Sequence, residues 1–217
     1  MNGAYSRQNP SPRYQALIAL YRQMHQEGEG DMAPGDTFSG LSLAPRIGEI
    51  KALVTRFGAQ SILDYGAGKG LLHGTMKLDL GSAGTFDSLQ DYWGVEQITC
   101  YDPAHAPFQI LPEGPFDGVI CTDVLEHCPE EDLPWILDEL FSLAGKFVYA
   151  NVACYPANKN LPDGENAHCT LRPPAWWEIL ISAIAGTYPD QGGRIVAALE
   201  PAEADGTSGP MTVLFER

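Results

Sequence analysis

The chain has 217 residues, of which 44% are apolar and 19% charged, so it is long enough to bury one substantial core and short for two ordinary domains. Thirteen basic against 28 acidic side chains give a formal net charge of -15. Because such a charge repels polyphosphates, duplex DNA and long RNA are excluded as expected partners. The charge is uneven: residues 1–60 carry a net +1 and residues 61–217 a net -16.

The sequence shows no sign of membrane insertion or of secretion. No stretch approaches the roughly 18 consecutive apolar residues of a membrane span, and the first 30 residues lack the apolar core of a signal peptide. The five cysteines are an odd number without a C-x-x-C pair, which favours neither a disulfide framework nor a structural zinc site. We therefore expect a cytoplasmic protein that does not associate with membranes.

Residues 1–60 read as a helical unit in front of the main domain. Ser11-Pro12 is a cap followed by a first-turn proline, and apolar residues then recur at helical spacing up to Gly28. The glycine-rich segment 27–40 indicates a loop, and a second amphipathic helix is predicted over 47–57. We expect this unit to act as a cap or lid on a domain formed by residues 61–217.

From Ser61 onward short apolar strands alternate with helices, which predicts a doubly wound α/β domain with a mostly parallel sheet. Helices are expected to begin after the acidic run 130–132 and at Pro173-Pro174. The predicted strands lie at 61–65, 97–101, 117–122 and 146–152, followed by an antiparallel pair at 194–199 and 211–215 on the sheet edge.

A glycine-rich loop follows the first strand, in the run Asp64-Tyr65-Gly66-Ala67-Gly68-Lys69-Gly70. Glycines at such a place allow a sharp turn and close approach of a ligand to the backbone. The spacing G-x-G-x-G differs from the G-x-G-x-x-G typical of dinucleotide-binding folds. At the end of the next strand, the carboxylate of Asp102 is placed to accept hydrogen bonds from both hydroxyls of a ribose.

Three segments together resemble the class I S-adenosylmethionine-dependent methyltransferases: SILDYGAGKG (61–70), Asp102, and FDGVICTDVLEH (116–127). The resemblance covers about residues 58–217. It implies a Rossmann-like sheet of seven strands with an antiparallel edge strand, and S-adenosylmethionine as the cofactor. The residues it assigns to the cofactor are Asp64, Tyr65, Gly66, Ala67 and Gly68 at the methionine end, Asp102 at the ribose, and Thr122 and Asp123 at the rim beside the methyl group.

Two spacings depart from this family. Asp102 comes 36 residues after Gly66, which indicates an insertion over 76–94. Asp117 comes only 15 residues after Asp102, so the usual helix and third strand are expected to shrink to a fragment near 108–110. The residues that contact adenine are not identified by the sequence.

The segment from Asp123 to His127 follows a central strand, where open α/β sheets place their ligands. Methyl transfer depends largely on alignment, and it needs a base only when the acceptor carries a proton. His127 is the leading candidate for that base because histidine titrates near neutral pH, although a packing or capping role is the alternative. His168, in the loop after the fourth strand, is a candidate second base or orienting group, or a surface residue.

A divalent cation is a further possibility, since the carboxylates and imidazoles of Asp123, Glu126, His127 and His168 can converge on one site. The segment Asp123–His127 (DVLEH) ends in Glu-His and in this part resembles the E-x-x-E-H motif of metal-assisted O-methyltransferases. These enzymes include small-RNA 2'-O-methyltransferases and ubiquinone-pathway enzymes. Asp123 replaces the first glutamate, and many methyltransferases with an LEH segment use no metal. Magnesium or manganese dependence thus stays open, and His25, His73 and His105 are taken as ordinary polar residues.

The expected function is transfer of a methyl group from S-adenosylmethionine to oxygen or nitrogen of a small-molecule acceptor, such as a sugar or another metabolite. An NAD-dependent oxidoreductase is a second reading, disfavoured by the glycine spacing. A non-catalytic S-adenosylmethionine-binding module is a third, disfavoured because the polar groups at the strand ends are intact.

Overall fold

Helices and strands alternate along the chain, as the apolar patterning predicts. A computed structural model describes residues 4–28, 30, 32–74, 77–188, 194–201 and 211–215. In chain order the elements are α1 (Pro12–Glu27), α2 (Ile47–Phe57), β1 (Ser61–Tyr65), β2 (Leu78–Asp79), β3 (Thr85–Phe86), α3 (Leu89–Trp93), β4 (Gln97–Tyr101), β5 (Phe116–Thr122), α4 (Leu133–Leu143), β6 (Ala144–Cys154), α5 (Pro174–Ala185), β7 (Arg194–Pro201) and β8 (Met211–Phe215).

The main sheet has the strand order β4-β1-β5-β6-β7-β8. The first five strands run parallel, and β8 pairs antiparallel with β7 at the edge. The α/β class, the mostly parallel sheet and the antiparallel edge strand are therefore confirmed. No helix in the described ranges is both long and apolar enough to span a bilayer.

Within the described residues the main sheet has six strands, one fewer than the resemblance implies. Between β4 and β5 the chain forms a 3-10 turn at Ala106–Phe108 instead of a further strand. The predicted insertion folds into the small β2–β3 hairpin and α3. Its first residue, Met76, lies outside the described residues, as do residues 202–210, which connect the edge pair.

Side chains of the central strands point alternately to the two faces of the sheet, and each face has its own apolar core. Leu63 and Val119 pack with α4 and α5 on one face. Ile62 and Ile120 pack with α2 and α3 on the other. Helices therefore cover both faces, as expected for strands that are apolar on both sides.

Helix α1 lies over the carboxyl edge of the sheet. The Ser11 hydroxyl accepts a hydrogen bond from the Tyr14 N–H at 3.0 Å, and Pro12 occupies the first turn, so the helix begins where the sequence predicts. Its buried residues Leu17 and Met24 pack with Leu161 in the loop after β6. This contact closes one side of the space above the strand ends.

An arginine anchors the segment that precedes α1. The Arg7 guanidinium forms a two-pronged ion pair with Glu139 of α4. It also donates to the hydroxyls of Tyr101 at 2.9 Å and Tyr65 at 3.0 Å, which are the last residues of β4 and β1. The N-terminal segment is thereby attached at the point where both strands leave the sheet.

We predict that Arg7→Met lowers the free energy of unfolding by about 1–3 kcal/mol, because Glu139 loses its cationic partner and keeps only the Tyr65 hydroxyl, in a site that is only partly exposed. Urea unfolding followed by circular dichroism measures the change. The control is Arg13→Met, which removes two ion pairs at the surface and should cost less than about 1 kcal/mol. Equal losses in the two variants would contradict an anchoring role for Arg7.

Candidate functional site

The carboxyl ends of β1, β4 and β5 meet beneath α1 and enclose a cavity of about 490 Å³. This volume lies within the range of small-molecule sites. Of the residues singled out from the sequence, the cavity is lined by Tyr65, Gly66, Gly68, Asp102, Thr122, Asp123, His127 and His168. Asp64, Ala67 and Glu126 are not among the lining residues.

The glycines of the loop after β1 are required by the protein's own packing. Gly66 and Gly68 have φ angles of +85° and +57°, which side-chain-bearing residues rarely adopt. A Cβ atom at Gly66 would lie 2.3 Å from a methyl group of Val124, and one at Gly68 would lie 2.4 Å from the Phe38 carbonyl oxygen. The loop is therefore pressed between the segment after β5 and the segment before α2.

Every backbone N–H from Gly66 to Leu71 has an acceptor inside the protein. Gly66 and Ala67 both donate to the Tyr101 carbonyl, at 2.7 and 3.1 Å, and Lys69 donates to the Phe38 carbonyl at 2.7 Å. The loop continues into a 3-10 turn at Leu71–His73, not into an α-helix. From Gly66 to Leu71 the loop therefore offers the cavity no free backbone N–H donors. A loop that binds a pyrophosphate differs, because its N–H groups are free to bind the ligand.

Asp102 lies next to this loop. One carboxylate oxygen accepts the Gly68 N–H at 2.9 Å, and the other accepts the Ala104 N–H at 2.8 Å. Burial raises the pKa of Asp102, and these hydrogen bonds oppose that rise. Each oxygen of a carboxylate has a second lone pair, so Asp102 retains acceptor capacity for a ligand.

Asp64 has an internal partner. Its carboxylate lies 2.6 Å from Nε2 of His73, and both side chains are buried. His73 is therefore part of a buried pair, and its interpretation as an ordinary polar residue is wrong. The two residues lie on either side of the glycine loop, and no motif in the sequence indicates that they pair.

Asp123, His127 and His168 form a cluster on the β5 side of the cavity. One carboxylate oxygen and one ring nitrogen from each histidine lie within 4.8 Å of one another. Asp123 has a φ of +60°, a strained conformation for a residue other than glycine, and its side chain is exposed. Asp123 thus joins the cluster from a backbone conformation that glycine adopts more readily.

Backbone carbonyls orient both imidazole rings. Nδ1 of His127 lies 2.9 Å from the Ala167 oxygen, and Nδ1 of His168 lies 2.5 Å from the Tyr155 oxygen. A carbonyl oxygen can only accept, so Nδ1 carries the hydrogen in each ring and Nε2 keeps its lone pair. Metal-binding histidines commonly have this arrangement, in which the second nitrogen is fixed by an outer hydrogen bond. Burial lowers the pKa of His127, which keeps that lone pair available.

Glu126 lies behind the cluster and is fully buried. One of its oxygens accepts the Ala153 N–H at 2.7 Å, while the other has no hydrogen-bond partner among the described residues. Burial raises the pKa of this carboxyl group, and repulsion from Asp123 raises it further. Of the four candidate ligands, the structure therefore brings together three.

Several lining residues were not found by sequence reasoning. Tyr21 of α1 reaches His127, and Tyr155 and Lys159 from the loop after β6 also line the cavity. The carboxylate of Asp36 also lines the cavity. None of these residues belongs to a motif, because each is brought to the strand ends by a loop or by packing of α1.

Comparisons of the chain with protein families, with curated proteins and with solved structures found no match. The function is therefore inferred from the residues that line the cavity.

His25 gives the cavity wall a pH-dependent contribution to stability. It is 9% exposed, lies 3.1 Å from the Lys69 ammonium nitrogen, and stacks on His105 at 4.8 Å between ring centroids. Burial lowers the pKa of His25 to about 4, and the charge of Lys69 adds to this effect. The folded protein thus binds this proton less readily than the unfolded chain.

We predict that the contribution of His25 to the free energy of unfolding falls as the pH drops from about 6.5, the value of an unperturbed histidine, towards the lowered value in the folded state. In this window the unfolded chain binds a proton that the folded protein does not. His25→Gln should flatten this part of the profile, as measured by urea unfolding at a series of pH values. An unchanged slope in the variant would show that His25 does not contribute to it.

Proposed function

We propose that the protein transfers a methyl group from S-adenosylmethionine to an oxygen or nitrogen atom of a small-molecule acceptor. The observation that carries this proposal is that one cavity contains both groups of residues. Gly66, Gly68 and Asp102 lie on the side assigned to the cofactor, and Asp123, His127 and His168 lie on the side assigned to the acceptor. A donor and an acceptor bound in this space would be neighbours.

The charges around the cavity support a cationic cofactor. Among the described residues, its wall includes the carboxylates of Asp36, Asp102 and Asp123 and the ammonium group of Lys159. An excess of carboxylates favours the sulfonium and ammonium groups of S-adenosylmethionine. The same excess disfavours the pyrophosphate of a nicotinamide cofactor, which would also find the loop N–H groups already bonded.

The strand arrangement is compatible with the class I methyltransferase sheet. We propose that β4, β1, β5 and β6 form its central part and that the 3-10 turn at Ala106–Phe108 replaces the third strand. Residues 1–60 then form a cap whose helix α1 covers the cofactor and acceptor sites. On this proposal the six-stranded sheet is a shortened form of the seven-stranded one.

The chain's own residues supply binding, alignment and a proton acceptor. The free lone pairs of Asp102 accept hydrogen bonds from the ribose hydroxyls, and Gly66 allows close approach of the ligand to the loop. His127, through the lone pair of Nε2, accepts the proton that an acceptor hydroxyl or amine loses as the methyl group is transferred. Alignment of the two reactants in one cavity supplies much of the remaining rate.

The residues at the acceptor side also fit a divalent cation. Asp123, His127 and His168 would hold it, since each offers a ligand atom within 4.8 Å of the others and both imidazoles are fixed by backbone carbonyls. Two nitrogen donors beside one carboxylate suit manganese better than magnesium, which prefers oxygen alone. When bound, such an ion acts as a Lewis acid on the acceptor oxygen. His127 is then a ligand and not the base.

We predict that calorimetry detects binding of S-adenosylhomocysteine and no binding of NADH. Asp102→Asn should weaken that affinity by about 10- to 100-fold, because charged hydrogen bonds to the ribose are lost. The control is Asp79→Asn, whose carboxylate also accepts a backbone N–H, from Gly81, but lies outside the cavity. Thermal unfolding of each variant without ligand shows whether the loop itself is intact.

Transfer of labelled methyl groups from S-adenosylmethionine into metabolite fractions tests the reaction and identifies the acceptor. Binding of NADH without binding of S-adenosylhomocysteine would contradict the proposal in favour of an oxidoreductase. Binding of S-adenosylhomocysteine without transfer to any fraction would support the non-catalytic module.

We predict that the protein binds Mn²⁺ and that His168→Ala weakens this affinity by at least about 10-fold through loss of a ligand. The electron paramagnetic resonance signal of free Mn²⁺ measures binding, and His105→Ala is the control because His105 lies outside the cluster. Chelation should abolish methyl transfer, and added Mn²⁺ should restore it. Full activity in the presence of the chelator would instead leave His127 as the base.

A further inference from the structure

Tyr21 connects α1 to the acceptor side of the cavity. Its ring lies edge-on against His127, with centroids 5.8 Å apart, and against Phe38, with centroids 5.5 Å apart. Helix α1 is held in place independently by the burial of Leu17 and Met24, so the position of the Tyr21 ring does not depend on a ligand.

The Tyr21 hydroxyl, His127 Nδ1 and the Ala167 carbonyl oxygen form a triangle. The hydroxyl oxygen lies 2.8 Å from Nδ1 and donates to the carbonyl over 3.2 Å, and Nδ1 lies 2.9 Å from the same carbonyl. Since Nδ1 carries the hydrogen, this N–H points between two oxygens, one of them from Tyr21. The hydroxyl thus satisfies the carbonyl's second lone pair and offers the imidazole a second acceptor.

The other histidine of the cluster is held differently. Nδ1 of His168 bonds only to the Tyr155 carbonyl among the described residues, in the same loop that carries His168. His127, by contrast, is held both by the Ala167 carbonyl and by a side chain that lies 106 residues earlier in the chain. An outer hydrogen bond of this kind fixes the ring plane and the direction of the Nε2 lone pair.

We infer that Tyr21 is a positioning residue for His127, so that α1 forms part of the acceptor site and does more than cover it. This inference rests on the proposed function, which gives His127 its task as metal ligand or as base. It does not depend on which of the two tasks His127 performs, because both use the Nε2 lone pair in the same direction.

The test uses Tyr21→Phe, which keeps the ring and removes the hydroxyl. Mn²⁺ affinity should fall by about 10-fold. This is the lower end of the range for loss of an outer hydrogen bond, because the Ala167 carbonyl still accepts the Nδ1 hydrogen of His127. Affinity for S-adenosylhomocysteine should stay within about twofold, since the Tyr21 hydroxyl bonds to His127 and Ala167 and, among the described residues, not to the glycine loop or Asp102. Turnover should fall without a matching rise in KM. The control is Tyr92→Phe, which removes a hydroxyl from a half-buried ring on α3, away from the cavity.

Long-range ¹⁵N NMR spectra of the imidazoles give a readout that needs neither metal nor activity. In the wild-type protein His127 should be the Nδ1–H tautomer, and its Nδ1 resonance should shift in Tyr21→Phe while that of His168 stays in place. A wild-type His127 protonated at Nε2 alone would overturn the inference, even if the variant does not fold. Unchanged Mn²⁺ affinity, turnover and Nδ1 resonance in a folded variant would overturn it as well.

Failure of the proposed function gives a different pattern. If the wild-type protein binds neither Mn²⁺ nor S-adenosylhomocysteine, the function is wrong, and a Nδ1 shift confined to His127 still supports the positioning contact. If the wild-type protein binds both and Tyr21→Phe behaves as Tyr92→Phe does in every measurement, the function stands and the inference is wrong.

Discussion

In-register pairing of β1 with β4 on one side and β5 on the other brings three strand ends to one edge of the sheet. Tyr65 pairs with Tyr101, so Gly66 and Asp102 leave the sheet side by side. The Tyr101 carbonyl then accepts two N–H groups of the glycine loop and turns it towards Asp102. Because β5 continues to Thr122 on the other side of β1, the Asp123–His127–His168 cluster follows the strand on one side of the glycine loop, and Asp102 follows the strand on the other side.

The N-terminal segment completes this edge through contacts of different kinds. Arg7 binds the hydroxyls at the ends of β1 and β4, and Tyr21 binds His127. The carbonyl of Phe38 accepts a hydrogen bond from the loop at Lys69. Since these contacts reach both the glycine loop and His127, displacement of α1 would disturb both parts of the cavity together.

Local patterns predicted the elements well, because apolar periodicity and caps act over a few residues. The bounds of β1 and β4 are those of the sequence prediction, and α1 begins at the proline after Ser11. The positions of Asp102 and Asp123 followed from the rule that ligands bind at strand ends. The Asp64–His73 pair, the inward turn of Glu126 and the contact of Tyr21 with His127 depend instead on tertiary packing, which leaves no periodic trace.

The glycine loop is held by hydrogen bonds to its own protein before any ligand arrives. A ligand that binds against it has no segment to order, so the conformational entropy that a disordered loop would lose on binding does not oppose association. The time a ligand stays is then governed by the contacts it makes. A ligand can therefore bind to this wall and leave it without the wall losing its shape.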